Sequence, residues 1–172
     1  MARHVISILV ANHAGVLSRV SGLFSRRGYN IESLSVGETE DPRFSRITVA
    51  VSGDESILYQ IHKQVEKLID VLEVRTLAPE ASVYRELALV KVAANANKRS
   101  EIVNIVDIFR ANIIDVSPTT LTVEMTGDQS KIDAFTSLLE PYGVQELVRT
   151  GLTGIQRGSE TLKNEETEEQ AY

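Results

Sequence analysis

The chain is 172 residues long, with 42% hydrophobic and 5% aromatic residues, a formal net charge of -6 and no cysteine. The lack of cysteine excludes disulfides, thiolate metal ligands and cysteine nucleophiles, and few aromatic residues with no basic stripe argue against a nucleic-acid surface. No apolar run reaches the roughly 18 residues that span a bilayer and no secretory pattern is present, so we expect a cytoplasmic protein of one domain or two small ones.

Strand and helix patterns alternate in the first half of the chain. The run VISILV, residues 5–10, predicts a buried strand, and an apolar stripe at helical spacing follows it, with Gly28 placed to end the helix. Residues 31–36 and 47–51 are typical of two strands joined by a turn in ETEDPR. Asp54 is placed to cap a second helix, and VLEVRTL predicts a fourth strand. The helical stripes comprise Val16, Leu17, Val20, Leu23 and Phe24 in the first helix and Ile57, Leu58, Ile61, Val65 and Leu68 in the second.

The same order recurs after a short linker, APEAS, residues 78–82. VYRELALVKVAA predicts a strand, a third helix follows, and IIDVS and LTVEMT flank a turn at Pro118. Asp128 is placed to cap a fourth helix, and VQELVRT predicts the strand after it. The apolar positions are Ile102, Ile105, Val106 and Phe109 in the third helix and Ile132, Phe135 and Leu139 in the fourth.

The repeated order predicts an α+β fold of two ferredoxin-like βαββαβ units, which we place at residues 1–78 and 79–158. Gly53-Asp54 and Gly127-Asp128 occupy equivalent places in the two units. Residues 159–172 carry five glutamates against one lysine, which predicts an acidic disordered tail. Because each unit has a thin core, we expect copies of the chain to pair.

A small polar loop, Asn12-His13-Ala14-Gly15, joins the first strand to the first helix. The N–H groups and the dipole of a helix's first turn favour an anion, so a carboxylate fits at this junction. Gly15 has no Cβ, which lets a ligand approach its backbone closely, and Asn12 offers both a donor and an acceptor. The alternative is that Asn12 only caps the helix and Gly15 only eases a turn, which is what Asn usually does at such places.

Long segments of the chain resemble the small regulatory subunit of acetolactate synthase (acetohydroxyacid synthase), a family whose N-terminal half is an ACT domain. NHAGVLSRVSGLFSRRGYNIESLSVG and DPRFSRITVAVSGD are similar to that ACT domain. LALVKVAAN, IVDIFRANIIDVSPTTLTVEMTGDQSKIDAF and RTGLTGIQRG are similar to the family's C-terminal half. The resemblance covers about residues 2–158 through long, clustered motifs.

The resemblance implies a non-catalytic subunit that activates a catalytic large subunit of acetolactate synthase and confers feedback inhibition by valine in branched-chain amino acid biosynthesis. It implies a homodimer through the ACT domains, with effector sites at their interface. Carried over residue by residue, the valine site comprises Asn12, His13, Ala14, Gly15, Val16 and Leu17, with Asn30 and Ile31 facing it from the partner chain. His13 is expected to face solvent. No cofactor is expected on this chain; thiamine diphosphate, magnesium and FAD are expected on the catalytic subunit.

Catalytic and metal sites have little support in the sequence. The three histidines, His4, His13 and His62, share no metal-ligand spacing, and no glycine-rich phosphate loop is present. The two Gly-Asp pairs are similar to the start of a thiamine-diphosphate signature, but the chain has no Asn-Asn pair, and helix capping explains both. Two interpretations stay open: the regulatory subunit, and a free-standing amino-acid sensor or small acylphosphatase-like enzyme that binds an anion at the same loop.

Overall fold

The computed structural model describes residues 2–162, which form two antiparallel sheets with two helices packed on each. The described residues divide into two units: residues 2–83 together with 152–162, and Tyr84–Gly151. This architecture confirms the predicted α+β fold of two ferredoxin-like βαββαβ units. None of the helices within residues 2–162 is both long and apolar enough to cross a bilayer.

The first unit begins with six elements in the predicted order. They are β1 (Ala2–Ala11), α1 (Val16–Arg26), β2 (Ile31–Glu38), β3 (Phe44–Gly53), α2 (Glu55–Val65) and β4 (Val71–Leu77). The sheet order is β2-β3-β1-β4, so β1 and β3 are central while β2 and β4 are edges. The core between this sheet and its helices includes Ile6, Ile8, Val10, Val20, Phe24, Ile47, Val49 and Ile61.

Local sequence explains where the helices begin and end. Gly28 adopts a left-handed φ of 70° just after α1, as glycine does most readily, and the helix stops there. The Asp54 carboxylate accepts a hydrogen bond from Ile57 N at 2.9 Å, and this bond is the main reason that the pKa of Asp54 lies below its ordinary value. Asp128 accepts from Lys131 N at 2.9 Å in the same way. Both predicted caps and the predicted helix stop are confirmed.

The second unit repeats the order of the first. Its elements are β5 (Ser82–Ala93), α3 (Arg99–Ile108), β6 (Asn112–Val116), β7 (Thr120–Gly127), α4 (Gln129–Leu139) and β8 (Val144–Arg149). They form a sheet of order β6-β7-β5-β8. Val90, Val123, Ile102, Ile132 and Phe135 are fully buried between this sheet and its two helices.

A further strand that the sequence did not predict, β9 (Thr153–Gln156), belongs to the first unit. It pairs with β5 and contacts β1, β3 and β4, and the following Arg157 N donates to Ala81 O at 2.8 Å. Our predicted boundaries instead place residues 152–158 in the second domain. They differ because the boundary was set by sequence order, whereas this segment packs on the sheet of the first unit.

The packed chain also continues into the predicted tail. Leu162 is only 9% exposed and clusters with Leu9 and Phe44 on the sheet face opposite α1 and α2. Residues 159–162 are therefore part of the first unit's structure, because the buried Leu162 side chain anchors them. The acidic composition of the predicted tail gave no sign of this apolar contact. The rest of the predicted tail, residues 163–172, lies outside the described residues.

Candidate functional site

The loop between β1 and α1 places exposed backbone at the start of a helix. Asn12, His13, Ala14 and Gly15 are all exposed. Gly15 occupies the N-cap position with a left-handed φ of 88°, and no side chain caps the helix there. The first turn of α1 also carries no acidic residue. No side-chain oxygen or carboxylate on α1 therefore neutralises the positive end of the helix dipole. The start of this helix thus suits an anionic ligand.

Asn12 does not cap α1. Its Nδ2 donates to Glu38 Oε1 at 3.2 Å and to Pro42 O at 2.9 Å, and its backbone N donates to Arg43 O at 2.7 Å. The alternative interpretation of Asn12 as a helix cap is therefore wrong, because Asn12 leaves β1 beside the turn between β2 and β3 and bonds there. Its side chain instead brings a carboxylate, Glu38, next to the loop.

Asp70, just before β4, contacts two side chains of the candidate site, His13 and Arg19. Its carboxylate meets His13 Nε2 at 2.9 Å and Arg19 Nη2 at 2.5 Å, and the Asp70 side chain is only 13% exposed. Ala11 N donates to Asp70 O at 2.9 Å, which fixes the backbone of Asp70 beside the end of β1. His13 faces solvent as expected, with 54% of its side chain exposed, but one ring nitrogen is held by Asp70.

Arg19 adds a positive charge close to Gly15. A Cβ built on Gly15 would lie 3.7 Å from Arg19 Nη1. The contact follows from helix geometry, since side chains in a helix lean toward its N-terminus and Arg19 follows Gly15 by one turn. Neither Arg19 nor Asp70 was among the predicted site residues. Asp70 is distant along the chain, and no local pattern marks it.

The apolar members of the predicted site divide between core and surface. Val16 is buried at 3% exposure and packs in the first core, whereas Leu17 is 41% exposed although it was predicted on the buried stripe of α1. Leu17 lies on the outer side of the helix's first turn, next to the loop. It therefore offers apolar surface to a small ligand at the start of α1.

Asn30 and Ile31 lie beyond the other end of α1, at the start of β2. The 11 residues of α1 extend about 16 Å at 1.5 Å per residue. The chain thus does not bring these two residues to its own Gly15. Because β2 is an edge strand, its unpaired side is open to another strand.

Within residues 2–162, no group of three or more histidine, aspartate or glutamate side chains is arranged to hold a metal ion. The groups gathered at the loop are helix N–H groups and Arg19, which suit an anion, and Glu38 with the Asn12 side chain, which suit a polar or cationic group. A small molecule carrying both charges and a short apolar part fits this set.

Comparison with known proteins gives matches over both halves. Residues 6–73 match the family model described as the AHAS small subunit-like ACT domain, and residues 85–158 match the family model described as the small subunit of acetolactate synthase. The first match contains the β1–α1 loop together with Arg19, Asn30, Ile31 and Asp70.

Similar proteins align along nearly the whole chain. A probable acetolactate synthase small subunit of Methanothermobacter thermautotrophicus is 55% identical over 92% of this chain and 95% of its own length. The acetolactate synthase isozyme 3 small subunit of Salmonella typhimurium is 48% identical over 94% of this chain and 99% of its own. The crystal structure of an acetolactate synthase small subunit from Thermotoga maritima superposes with a TM-score of 0.88 at 43% identity, covering 92% of this chain and 99% of that one.

Proposed function

The chain belongs to the family of acetolactate synthase small subunits, and on that premise we propose that it activates a catalytic large subunit and makes it sensitive to valine. In this family the small subunit is regulatory, so the chain is not the catalyst on its own. The observation that carries the effector part is the exposed N-terminus of α1 at Gly15, which has no side-chain cap. Arg19 lies close to Gly15, and Glu38 is hydrogen-bonded to Asn12 of the same loop.

Each part of valine has a counterpart in the loop. The carboxylate would accept hydrogen bonds from N–H groups at the start of α1 and lie near Arg19. The ammonium would lie toward Glu38 and the carbonyl of the Asn12 side chain. Leu17 would cover part of the isopropyl group. This contact would contribute little binding free energy alone, but it would favour a branched apolar side chain over a polar one.

In this proposal, Asn30 and Ile31 contribute to the effector site of a second copy of the chain. In a homodimer formed along the β2 edges, the partner's Asn30 and Ile31 would face the β1–α1 loop across the interface. The effector site would then be complete only in the dimer, and valine binding would be coupled to dimer geometry.

The cofactors of the reaction belong to the catalytic subunit in this proposal. Thiamine diphosphate, magnesium and FAD would be held there, and this chain would act through binding alone. We also propose a cytoplasmic location for the complex.

Reconstitution tests the proposal directly. The purified chain is mixed with its catalytic subunit, and acetolactate formation from pyruvate is followed with and without valine, leucine or isoleucine. We expect a higher rate on adding the chain and a dose-dependent decrease with valine. Turnover by the chain alone that survives removal of thiamine diphosphate would instead support a small enzyme, and valine binding without any effect on the catalytic subunit would support a free-standing sensor.

A further inference from the structure

Both helices of the second unit pack on one face of its sheet, where they meet the buried Val90 and Val92 of β5. Side chains alternate along a strand, so the other face of β5 carries Leu87, Leu89 and Lys91. The register of the neighbouring strands places further side chains on this face, namely Asp115 of β6, Thr122 and Glu124 of β7, and Glu146 and Val148 of β8. Together with the three β5 residues, they define what we call the open face.

The equivalent face of the first unit's sheet, opposite α1 and α2, is covered. Val5 and Leu9 of β1, the counterpart of β5, are only 5% and 4% exposed. Arg46 on this face donates a hydrogen bond to Gly154 O of β9 at 3.0 Å, and Leu162 packs on Leu9. The first unit thus covers the face that its helices leave free with a later segment of its own chain.

The open face leaves a group of aliphatic side chains in contact with solvent. Leu89 and Val148 are direct cross-strand neighbours, and Leu87 lies next to Leu89 on the same face of β5. Val148 is 53% exposed and Leu87 is 36% exposed, whereas the first unit buries its counterpart face. Adjoining exposed apolar side chains, unlike single ones, are typical of a surface that contacts another protein.

Carboxylates border this aliphatic group. Glu124 of β7 pairs in register with Leu89, Glu146 of β8 pairs with Lys91, and Asp115 lies farther out on β6. Lys91 is the only cation of the open face, and its Nζ lies 3.5 Å from Glu146 Oε2. The open face therefore combines an aliphatic centre with a net negative rim.

This charge distinguishes between the possible occupants of the open face. A second copy bound face to face would set the carboxylates against the same carboxylates, because a two-fold contact joins identical patches. Residues 163–172 carry four glutamates against one lysine, so the rim would repel them as well. The occupant that fits is a different protein whose surface has an apolar centre with basic side chains around it.

We infer that the open face binds the catalytic large subunit, through an apolar patch on that subunit that is bordered by lysine and arginine side chains. This inference rests on the proposed function, which supplies the partner. Burial of Leu87, Leu89 and Val148 contributes most of the binding free energy, since charges at a rim mainly raise the association rate and fix the orientation. The β1–α1 loop belongs to the other unit, so partner binding and valine binding are measured separately.

Val148→Lys tests the aliphatic contact on the full chain. The substitution replaces an exposed aliphatic side chain by a cation, which the basic border of the partner's patch repels. We expect the dissociation constant for the catalytic subunit, measured by surface plasmon resonance, to rise at least tenfold. The chain concentration that gives half-maximal activation should rise by the same factor, while the maximal rate stays unchanged.

Val116→Lys is the matched control. Val116 is also an exposed valine on an edge strand of this sheet, but it pairs in register with Leu121, which faces the helices. It should leave the dissociation constant for the catalytic subunit within twofold of the parent. Equal weakening by the two lysine variants would overturn the assignment of the open face.

Two neutral substitutions test the sign of the rim charge. Glu124→Gln removes a carboxylate and should weaken binding about threefold, whereas Lys91→Gln removes the cation and should tighten it about threefold. A purely structural effect would not move the two constants in opposite directions. Shifts in the same direction, or no shift in either variant, would overturn the proposed charge complementarity.

Thermal midpoints show whether each variant is folded, and the two glutamine variants decide the matter if Val148→Lys is not. Dissociation of the chain's own dimer by Val148→Lys, read by sedimentation, would place a second copy on the open face and overturn the inference. A parent chain that does not bind the catalytic subunit would overturn the proposed function and this surface together. Binding by the parent that persists unchanged in the folded variants would overturn this surface alone.

Discussion

Gly15 is the residue at which a carboxylate effector and the helix start would meet, and its substitution separates regulation from assembly. In Gly15→Asp, two carboxylates about 4 Å apart repel by about 4 kcal/mol at an intermediate dielectric. Half of that, about 2 kcal/mol, weakens binding roughly thirtyfold. We expect the valine inhibition constant of the reconstituted enzyme to rise about thirtyfold while activation persists.

Gly15→Asn is the matched control for that experiment. With φ at 88°, any side chain at position 15 carries backbone strain, but Asn and Asp tolerate this region better than other residues. The space is adequate, since a Cβ would only touch Arg19 Nη1 at 3.7 Å. Asn thus reproduces the strain and the bulk without the charge. Equal loss of inhibition in both variants would mean that valine binding depends on the shape of the loop and not on its charge.

In the proposed site, the Asp70 carboxylate would repel the carboxylate of the effector. Asp70→Asn removes the carboxylate that holds Arg19 and His13, leaving Arg19 available to the effector. A gain of roughly 1 kcal/mol in attraction corresponds to about fivefold tighter binding. We expect a valine inhibition constant about fivefold lower, measured on the reconstituted enzyme.

The control for Asp70→Asn is Glu66→Gln, which removes one negative charge from an exposed pair with His62 and Lys63 and lies outside the loop. It should leave the inhibition constant within twofold of the parent. An unchanged constant in Asp70→Asn would show that Arg19 takes no part in effector binding.

Sequence reasoning at the residue scale found the loop but not its neighbours. Asn12 and Gly15 were marked by their place between a strand and a helix, and the left-handed Gly15 agrees with that interpretation. Glu38 and Asp70 are brought to the loop by the turn after β2 and the start of β4. Such contacts depend on sheet order, which single-residue patterns do not encode.

Among the elements, β2 is where a second copy of the chain would bind. It is an edge strand, and Val36 on it is 45% exposed. A lysine on an edge strand disfavours pairing with another strand. We expect Val36→Lys to raise the dissociation constant of the dimer at least tenfold, measured by sedimentation at micromolar concentrations.

Val116→Lys makes the same change on β6, the edge of the second unit's sheet, where Val116 is also exposed. It should leave the dimer intact. Dissociation by Val116→Lys, or a dimer unaffected by Val36→Lys, would contradict pairing through β2.

The elements with strong periodicity were all predictable from the sequence. The strands of the two repeats alternate or run apolar, the helices carry apolar stripes, and α2 and α4 have aspartate caps, so local and tertiary preferences agree. β9 was missed because Thr153-Gly154-Ile155-Gln156 is short and contains a glycine, which weakens any strand signal. It forms a strand because it pairs with β5, and it also contacts β1, β3 and β4.

For the molecule as a whole, Leu162 is the last described residue, and its buried side chain attaches the end of the described chain to the first unit. We expect a chain truncated after Leu162 to have the same unfolding midpoint as the full chain and to activate the catalytic subunit equally well. In contrast, Leu162→Ala should cost about 2 kcal/mol and lower the midpoint by about 4–8 °C. Differential scanning calorimetry measures both.

Leu138→Ala serves as the matched control, because Leu138 is an exposed leucine on α4 and alanine suits a helix. Its midpoint should change by less than about 2 °C. A midpoint for Leu162→Ala as high as that of the control would show that the cluster with Leu9 and Phe44 adds no stability.

The return of β9 to the first unit has a consequence for synthesis on the ribosome. Ser33 Oγ accepts a hydrogen bond from Leu152 N across 119 positions of sequence, so the first unit is discontinuous while Tyr84–Gly151 is a single uninterrupted stretch. Contacts this distant must wait for chain elongation and loop closure. The unit that is translated first is therefore completed last, and Leu9 and Phe44 lack the contact with Leu162 on the nascent chain until residues 152–162 emerge from the exit tunnel.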